Sequence, residues 1–373
     1  MGSENWTLVI QGPMHSPLPK RSWARDLIED EARRTGRAPQ PVVDCSAAVT
    51  KTIELARPGV QRVVLSTWSD DANASTAQKL AAGLDCDVVL SADPGRGAWP
   101  LGELPDNRQR QLLSTLVGIA DVLDHGGGRI VRTRSDQVVD VAVVMAAAER
   151  DRQGAARRVG QTGFVHVAGV FATVPYAIDD FYFAGAADDL WRFFSAQWER
   201  RAAYHGADSV HTDLVLKHLW CNLAHWFELS DYECFPVVDQ CRDLDHGPRP
   251  GALGTRYLDV WCEILRHSLK PLPRQVYEAL VFRGLPFRRP HERLFLEEWE
   301  TWGGDLRPFF LSRWPDAFGG RTFGALGALL NYAPECRWMH WPGWAGTAAR
   351  AAHQARRARS GRYRTLRPEP LTA

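Results

Sequence analysis

Residues 130–137 have the sequence IVRTRSDQ, in which an apolar β-strand pattern ends in two arginines and a carboxylate. Ligands of open α/β sheets bind outside the carboxyl ends of the strands, so polar groups at such an end indicate a binding site. Alternation along the strand puts Arg132 and Arg134 on one face, where they could bind phosphate oxygens. Asp136 could hold a divalent cation that bridges a diphosphate. A strand-end salt bridge is the structural alternative.

Strand and helix patterns alternate around this stretch. Strand patterns occur at residues 7–10, 62–68, 87–91 and 129–133, and helix patterns at 46–57, 74–83 and 107–123. This alternation predicts an α/β protein with a sheet that is largely parallel at first. Residues 160–185 are richer in glycine and β-formers, which predicts antiparallel strands. Helix patterns then predominate, at 188–203, 211–226, 257–268, 274–283 and 291–301.

The length of 373 residues favours two domains, or one large domain with an appendage. We predict an α/β domain over residues 1–250, a helical, Trp-rich region over 251–349 and a basic tail over 350–373. The tail arginines have helical spacing and could contact an anionic membrane surface, since such a surface attracts basic side chains. A solvated terminus is the alternative.

Composition excludes several classes. The 45 basic and 44 acidic residues give a net charge of +1, so we expect no nucleic-acid partner. No apolar run reaches the ~20 residues of a membrane helix, and the first residues lack a signal-peptide pattern. The cysteine count of 7 is odd and contains no CxxC pair, which favours a reducing compartment. We therefore expect a cytoplasmic protein, which could be peripheral to the inner membrane face.

Several catalytic motifs are absent from the sequence. There is no GxxxxGK[ST] phosphate loop, no GxSxG elbow and no HExxH helix. The glycines at 126–128 precede a strand, so they predict a turn instead of a dinucleotide loop. These absences weaken the interpretation of the chain as an NTPase, an α/β-hydrolase, a zincin or a Rossmann dehydrogenase.

Five short segments follow one another in a fixed order. They are VIQGP (9–13), VVLSTW (63–68), SADPG (91–95), NRQRQLLSTLVGI (107–119) and RTRSDQ (132–137). This set resembles the WavE family of lipopolysaccharide-synthesis proteins, a glycosyltransferase family, over roughly residues 7–245. The insertion at 14–41 departs from the family, and the C-terminal third matches it less clearly. The resemblance implies a GT-A-like, Rossmann-type sheet that binds a nucleotide-diphosphate sugar donor, followed by a helical C-terminal region.

The resemblance also implies donor-binding residues. Gln11, Gly12 and Pro13 would line the nucleotide pocket, Ser66 and Trp68 would face the nucleobase, and Asp93, Asn107 and Arg108 would lie near the ribose and phosphates. Core packing is an equal interpretation of Trp68. Gly185, in FYFAG, resembles the glycine of a loop that approaches the donor sugar, with a plain turn as the alternative.

Asp136 stands where such folds place the aspartate that binds Mn²⁺ or Mg²⁺. The usual D-x-D is R-S-D here, so the motif offers one acidic ligand. His246 stands where such folds can place a late histidine ligand, and a surface-loop histidine is the alternative. Asp213, at a helix start, would take the proton of the acceptor hydroxyl in an inverting enzyme, with helix capping as the alternative. Asp179 and Asp180 are the reserve candidates, of which Asp180 is preferred, and retention would not require that base in the same role.

The sequence therefore predicts a glycosyltransferase that moves a sugar from a nucleotide-diphosphate donor to a hydroxyl of a glycan or a secondary metabolite. One alternative is a sugar nucleotidyltransferase, which would usually have a glycine-rich, basic loop where this chain has QGPMHSP. The other alternative is a non-catalytic protein that binds glycans or nucleotides. The single aspartate of RSD and the 15 tryptophans keep that second alternative open.

Overall fold

A computed structural model of the chain describes residues 5–17, 28–30, 33–34, 36, 42–93, 108–150, 162–171, 178–200, 255–287, 293–303 and 305–313. The strands are β1 (Trp6–Gln11), β2 (His15–Pro17), β3 (Val42–Asp44), β4 (Arg62–Trp68), β5 (Asp87–Ser91), β6 (Arg129–Arg134), β7 (Gln137–Val138), β8 (Val165–Val167), β9 (Val170–Phe171), β10 (Phe183–Ala186), β11 (Leu269–Pro271), β12 (Val281–Phe282), β13 (Leu285–Pro286) and β14 (Arg293–Leu294). The helices are α1 (Ser46–Ala56), α2 (Asp71–Leu84), α3 (Arg108–Asp124), α4 (Val141–Arg150), α5 (Ala187–Arg200), α6 (Thr255–His267), α7 (Arg274–Glu278), α8 (Leu296–Thr301) and α9 (Arg307–Arg313).

A seven-stranded sheet with the strand order β11-β8-β10-β6-β1-β4-β5 forms the centre of the fold. Neighbours among β6, β1, β4 and β5 are parallel, whereas β10 is antiparallel to both β6 and β8. The predicted α/β class and the predicted change to antiparallel pairing are both confirmed. Gln11 pairs with Ser66 on one side and with Arg134 on the other, so the carboxyl ends of three parallel strands lie at one edge.

The sheet is covered on both faces. Helix α3 packs against β1 and β4 on one face, and α1 and α4 pack against each other within the core cluster that includes Leu8 and Ile10. Gly118 allows the close approach of α3, because a Cβ there would lie 2.7 Å from Val9 Cγ1. All six residues of β1 are buried, as expected for a parallel strand between two helical layers.

Residues 274–283 differ from the predicted helix. Helix α7 ends at Glu278, and a two-residue hairpin loop then joins β12 to β13. Both loop residues have positive φ, 52° at Arg283 and 79° at Gly284, which is the backbone that such tight hairpins require. The helix predicted at 291–301 begins only at Leu296, after β14, and the helix predicted at 211–226 lies outside the described residues.

The C-terminal part contributes to the central sheet. Strand β11 pairs in parallel with β8, although the two strands lie on opposite sides of the boundary predicted at residue 250. The described part of the predicted helical region holds helices α6 to α9 and four short strands. The boundary itself and the predicted tail 350–373 lie outside the described residues. No helix in the described ranges is both long and apolar enough to span a bilayer.

Candidate functional site

A cavity of about 220 Å³ opens at the carboxyl ends of β1, β4 and β6. Many of the predicted donor-binding residues line it, namely Gln11, Gly12, Pro13, Trp68, Asp93, Arg134 and Asp136. The lining also includes residues that the sequence did not indicate, namely His15, Ser16, Pro17, Asn73, Arg110, Gln111, Ser114, Ser135 and Arg283. The cavity therefore lies where a sheet of this topology is expected to bind a ligand.

The QGP and RSD segments are bound directly to each other. The Ser135 amide donates to the Gln11 carbonyl at 2.9 Å, and the Ser135 hydroxyl donates to the Pro13 carbonyl at 2.7 Å. Gly12 lies between these contacts with a φ of 121°, and a Cβ there would lie 2.9 Å from Ser135 Oγ. Glycine suits this position because other residues rarely adopt such a backbone and would meet the serine.

Helix α3 forms another wall of the cavity with its first turns. The Ser114 hydroxyl donates to Gln11 Oε1 at 2.5 Å, and Arg110 pairs through Nε with Asp93 Oδ1 at 2.6 Å. The first turn of a helix carries partial positive charge, which favours an anion nearby. Asn107 and Arg108 are the residues predicted at this helix start. Asn107 lies outside the described residues, as does the side chain of Arg108.

The segment after β1 is held by Asn73 of α2. Asn73 Oδ1 accepts from the backbone N–H groups of Met14 at 2.6 Å and His15 at 3.2 Å. Asp70 in turn accepts from the Asn73 amide group at 2.7 Å and fixes its orientation. This chain of contacts holds the third side of the cavity in place.

Asp136 is bound by two arginines. Its Oδ1 accepts from Arg134 Nε at 3.0 Å, and its Oδ2 accepts from Arg134 Nη2 at 3.0 Å and from Arg283 Nε at 3.2 Å. Burial opposes ionisation of this carboxyl, but the charges and hydrogen bonds of the two guanidinium groups outweigh it and lower its pKa. Asp136 is therefore ionised and almost fully buried, and its carboxylate holds Arg134 and Arg283 in place.

Arg134 and Arg283 have further partners. Arg134 Nη1 lies 3.4 Å from Asp180 Oδ2. Burial tends to lower the pKa of Arg134, but the charge of Asp136 more than offsets this and raises it. Arg283 donates from Nη2 to Ser16 Oγ at 2.7 Å and from Nη1 to the Pro17 carbonyl at 3.1 Å. Arg283 thus ties β2 to the RSD segment.

Arg132 does not line the cavity with Arg134. Its side chain is buried, with Nε donating to Thr115 Oγ1 at 3.1 Å and Nη1 to the Asp180 carbonyl at 2.8 Å. Burial lowers the pKa of Arg132 to about 9, although the charge of Asp180 opposes this effect, so the group is charged at neutral pH. Arg132 positions Asp180, whose carboxylate also accepts from Gln111 Nε2 at 2.9 Å.

The residues that line the cavity also do not include the predicted Ser66, Gly185 and Asp180. Ser66 is buried beneath α3 and donates its hydroxyl to the Ser114 carbonyl at 2.7 Å. Gly185 lies within β10 instead of a loop, because the FYFAG pattern continues the antiparallel strand beside β6. A Cβ on Gly185 would lie 3.2 Å from the Phe164 carbonyl oxygen, so close strand packing explains this glycine. Trp68 is 3% exposed, so it packs in the core although it also lines the cavity.

The predicted metal site does not fit the side chains around Asp136. Both carboxylate oxygens already accept guanidinium N–H groups, and the two partners are themselves cations. Among the described residues, no group of three or more histidine, cysteine or acidic side chains could hold a metal ion. The predicted ligand His246 and the predicted base Asp213 lie outside the described residues.

Arg283 is the main functional side chain that the sequence did not indicate. It lies 147 positions from Asp136 in the chain, and its segment has a helical pattern. The adjacent Arg283-Gly284 pair, which suits a tight hairpin loop, is the one local signal that could have pointed to it.

Comparisons with known proteins leave the family open. No family model and no curated protein matches the chain. Among solved structures, the chain is similar to HddC from Yersinia pseudotuberculosis complexed with GMP-PN, at 12% identity and a TM-score of 0.27, over 50% of this chain and 79% of that one. It is also similar to mannose-1-phosphate geranyltransferase from Thermus thermophilus, at 16% identity and a TM-score of 0.28, over 58% of this chain and 67% of that one. Similarity at these values carries no argument about function, which therefore rests on the side chains of the cavity.

Proposed function

We propose that the cavity binds the diphosphate of a nucleotide sugar and that the chain is a glycosyltransferase. The observation that carries this proposal is the position of Arg110, Arg134 and Arg283 around one cavity at the carboxyl ends of parallel strands. Arginine is well suited to phosphate because its planar group can donate two parallel hydrogen bonds. A diphosphate is the part of a sugar donor that requires such groups.

The charge balance supports an anionic ligand. Among the charged side chains that line the cavity, three guanidinium groups (Arg110, Arg134 and Arg283) face two carboxylates (Asp93 and Asp136). The excess of positive charge lies in a largely buried setting, where electrostatic interactions are stronger than in water. A departing nucleoside diphosphate would be stabilised there, because transfer of the sugar increases its negative charge.

The remaining lining residues fit the rest of the donor. Trp68 and Pro13 offer apolar surface for a nucleobase, and Asp93 offers carboxylate oxygens for ribose hydroxyls. In the proposed reaction an acceptor hydroxyl attacks the anomeric carbon of the sugar. The bond from that carbon to the diphosphate breaks, and a basic group takes the hydroxyl proton. Asp213 remains the proposed base for inversion, with Asp180 as the reserve.

A sugar nucleotidyltransferase is the second candidate. The observation that favours it is the additional Arg110–Asp93 ion pair at the cavity, which could bind a second phosphorylated substrate. Such an enzyme would join a nucleoside triphosphate to a sugar 1-phosphate and release pyrophosphate. The two candidates therefore use the same cavity but give different products.

Product analysis distinguishes these functions. The chain would be incubated with nucleotide sugars and a panel of hydroxyl acceptors, and separately with nucleoside triphosphates and sugar 1-phosphates. We expect release of a nucleoside diphosphate in the first reaction and loss of that release in Arg134→Met. Release of pyrophosphate in the second reaction would instead establish the nucleotidyltransferase, and binding without either product would establish a binding protein.

Arg62→Met is the matched control. Arg62 lies at the opposite end of β4 from Trp68, and its guanidinium pairs with Asp87 at 2.6 Å and with Asp121 at 2.7 Å. This variant also loses a strand-end arginine from an ion pair, but at the end of the strands that lies away from the cavity. Product release should be unchanged in Arg62→Met.

A further inference from the structure

We propose that Arg134 and Arg283, held together by Asp136, neutralise the bound diphosphate in place of a divalent cation. This inference rests on the proposed function, since it concerns how the same cavity binds the donor. It makes nucleotide binding independent of metal and assigns Arg283, from the C-terminal part of the chain, to the donor site.

The hairpin β12–β13 brings Arg283 to the RSD segment. Strand β12 pairs with β7, with Phe282 opposite Gln137, and the Arg283 amide donates to the Asp136 carbonyl at 2.7 Å. Arg283 itself has a φ of 52°, a conformation that costs a residue with a side chain more than it costs glycine. Arg283 thus adopts an unfavourable backbone conformation while its main chain is bound to Asp136. Its side chain binds the carboxylate of the same aspartate.

Asp136 is not available to a cation in this arrangement. Asp136 is 4% exposed, and each of its carboxylate oxygens accepts at least one guanidinium N–H. A metal ion would have to displace an arginine and then lie beside two positive charges. Asp136 serves instead as the negative charge that lets two guanidinium groups lie close together.

Both guanidinium groups keep hydrogen-bond donors for a ligand. A guanidinium has five N–H donors. The described contacts use three of them in Arg134 and three in Arg283. These contacts leave two donors on each group, and both arginines line the cavity. A diphosphate placed between the two guanidinium groups could accept hydrogen bonds from both. These hydrogen bonds would replace the contacts that its oxygens would make with a cation.

Calorimetric titration of the full chain tests this inference. The probes are the diphosphates of uridine, guanosine, cytidine and thymidine, each with EDTA and each with Mn²⁺ or Mg²⁺. We expect one diphosphate to bind with the same affinity in EDTA as with either metal. Arg283→Gly should weaken that binding about tenfold or more, the range for a lost charged hydrogen bond. Glycine keeps the positive φ, so the hairpin can still form.

Each contrary outcome has a distinct meaning. Arg62→Met, at the end of the strands that lies away from the cavity, should bind as the wild type does. Binding that disappears in EDTA and returns with Mn²⁺ or Mg²⁺ would overturn the inference and leave the proposed function intact. Metal-free binding that Arg283→Gly leaves unchanged would overturn the role of Arg283. Binding of no nucleoside diphosphate under either condition would overturn the proposed function and the inference with it.

Discussion

At the scale of single residues, Asp136 joins parts of the chain that are far apart in sequence. Its carboxylate binds one guanidinium two positions away and another 147 positions away. Removing one partner of a buried ion pair is costly because the other charge is left without compensation. Asp136 therefore stabilises the fold while it positions the arginines of the proposed donor site.

Asp136→Asn should lower the free energy of unfolding at neutral pH by about 3 kcal/mol. The folded state lowers the pKa of this carboxyl below its ordinary value of 3.8, so its contribution is present above that value. The contribution is lost as the pH falls through the lower, folded pKa. Urea unfolding of both proteins from pH 7 to pH 2 should therefore show a difference that shrinks below about pH 4. A difference that stays constant throughout would contradict this prediction.

Gly12→Ala should destabilise the chain by about 1–3 kcal/mol, because alanine at a φ of 121° is strained and its Cβ meets Ser135 Oγ. Gly126→Ala is the control. Gly126 has a φ of 98°, but nothing lies within 4 Å of its added Cβ. Urea unfolding should show a larger loss at Gly12, and nucleotide affinity should fall there alone. Equal losses in the two variants would show that the contact with Ser135 has no effect.

At the scale of elements, the sequence predicts the strands that build the cavity but not the hairpin that completes it. The alternating patterns identify β1, β4, β5 and β6 to within one or two residues, because each is an apolar run closed by a turn signal. Residues at the ends of β1 and β6 are predicted to form one donor site, and all of them except Arg132 line one cavity. The hairpin is missed because residues 274–283 have a helical pattern and because its strand β12 pairs with β7, which is distant in sequence.

Phe282→Ala should weaken nucleotide binding as well as stability. The Phe282 ring contacts both functional arginines, with the guanidinium of Arg134 at 5.5 Å and that of Arg283 at 5.3 Å from the ring centroid. Truncating a buried phenylalanine costs about 3–5 kcal/mol. Phe310→Ala is the matched control, since Phe310 is equally buried but lies in α9, outside the hairpin that carries Arg283. Calorimetry should show reduced affinity in Phe282→Ala alone, and the same loss in both variants would contradict the prediction.

At the scale of the whole molecule, residues before and after position 250 share one core. Leu272, Val276 and Phe282 belong to the same buried cluster as Leu8 and Ile10 of β1. Strand β11 covers the edge of β8 in the central sheet. The sequence could not show this connection, because local patterns mark elements but do not tell which distant elements pair. The role of Arg283 could not be predicted for the same reason, because it depends on the pairing of β12 with distant β7.

A fragment of residues 1–250 should fail to fold cooperatively and should bind no nucleotide. It lacks β11, part of the shared core cluster, and Arg283. Circular dichroism during urea unfolding would be compared for the fragment and the full chain. A sharp transition near that of the full chain would show that residues 1–250 form an independent domain and would contradict this prediction.

The crystal structure of the chain grown with the nucleoside diphosphate that binds most tightly tests the central claim most directly. We predict the diphosphate between the guanidinium groups of Arg134 and Arg283, beside Gly12, with Asp136 still bound to both arginines. A diphosphate bound elsewhere on the molecule would contradict the proposed donor site. A cation on Asp136, with both guanidinium groups turned away, would contradict the proposed role of the arginines.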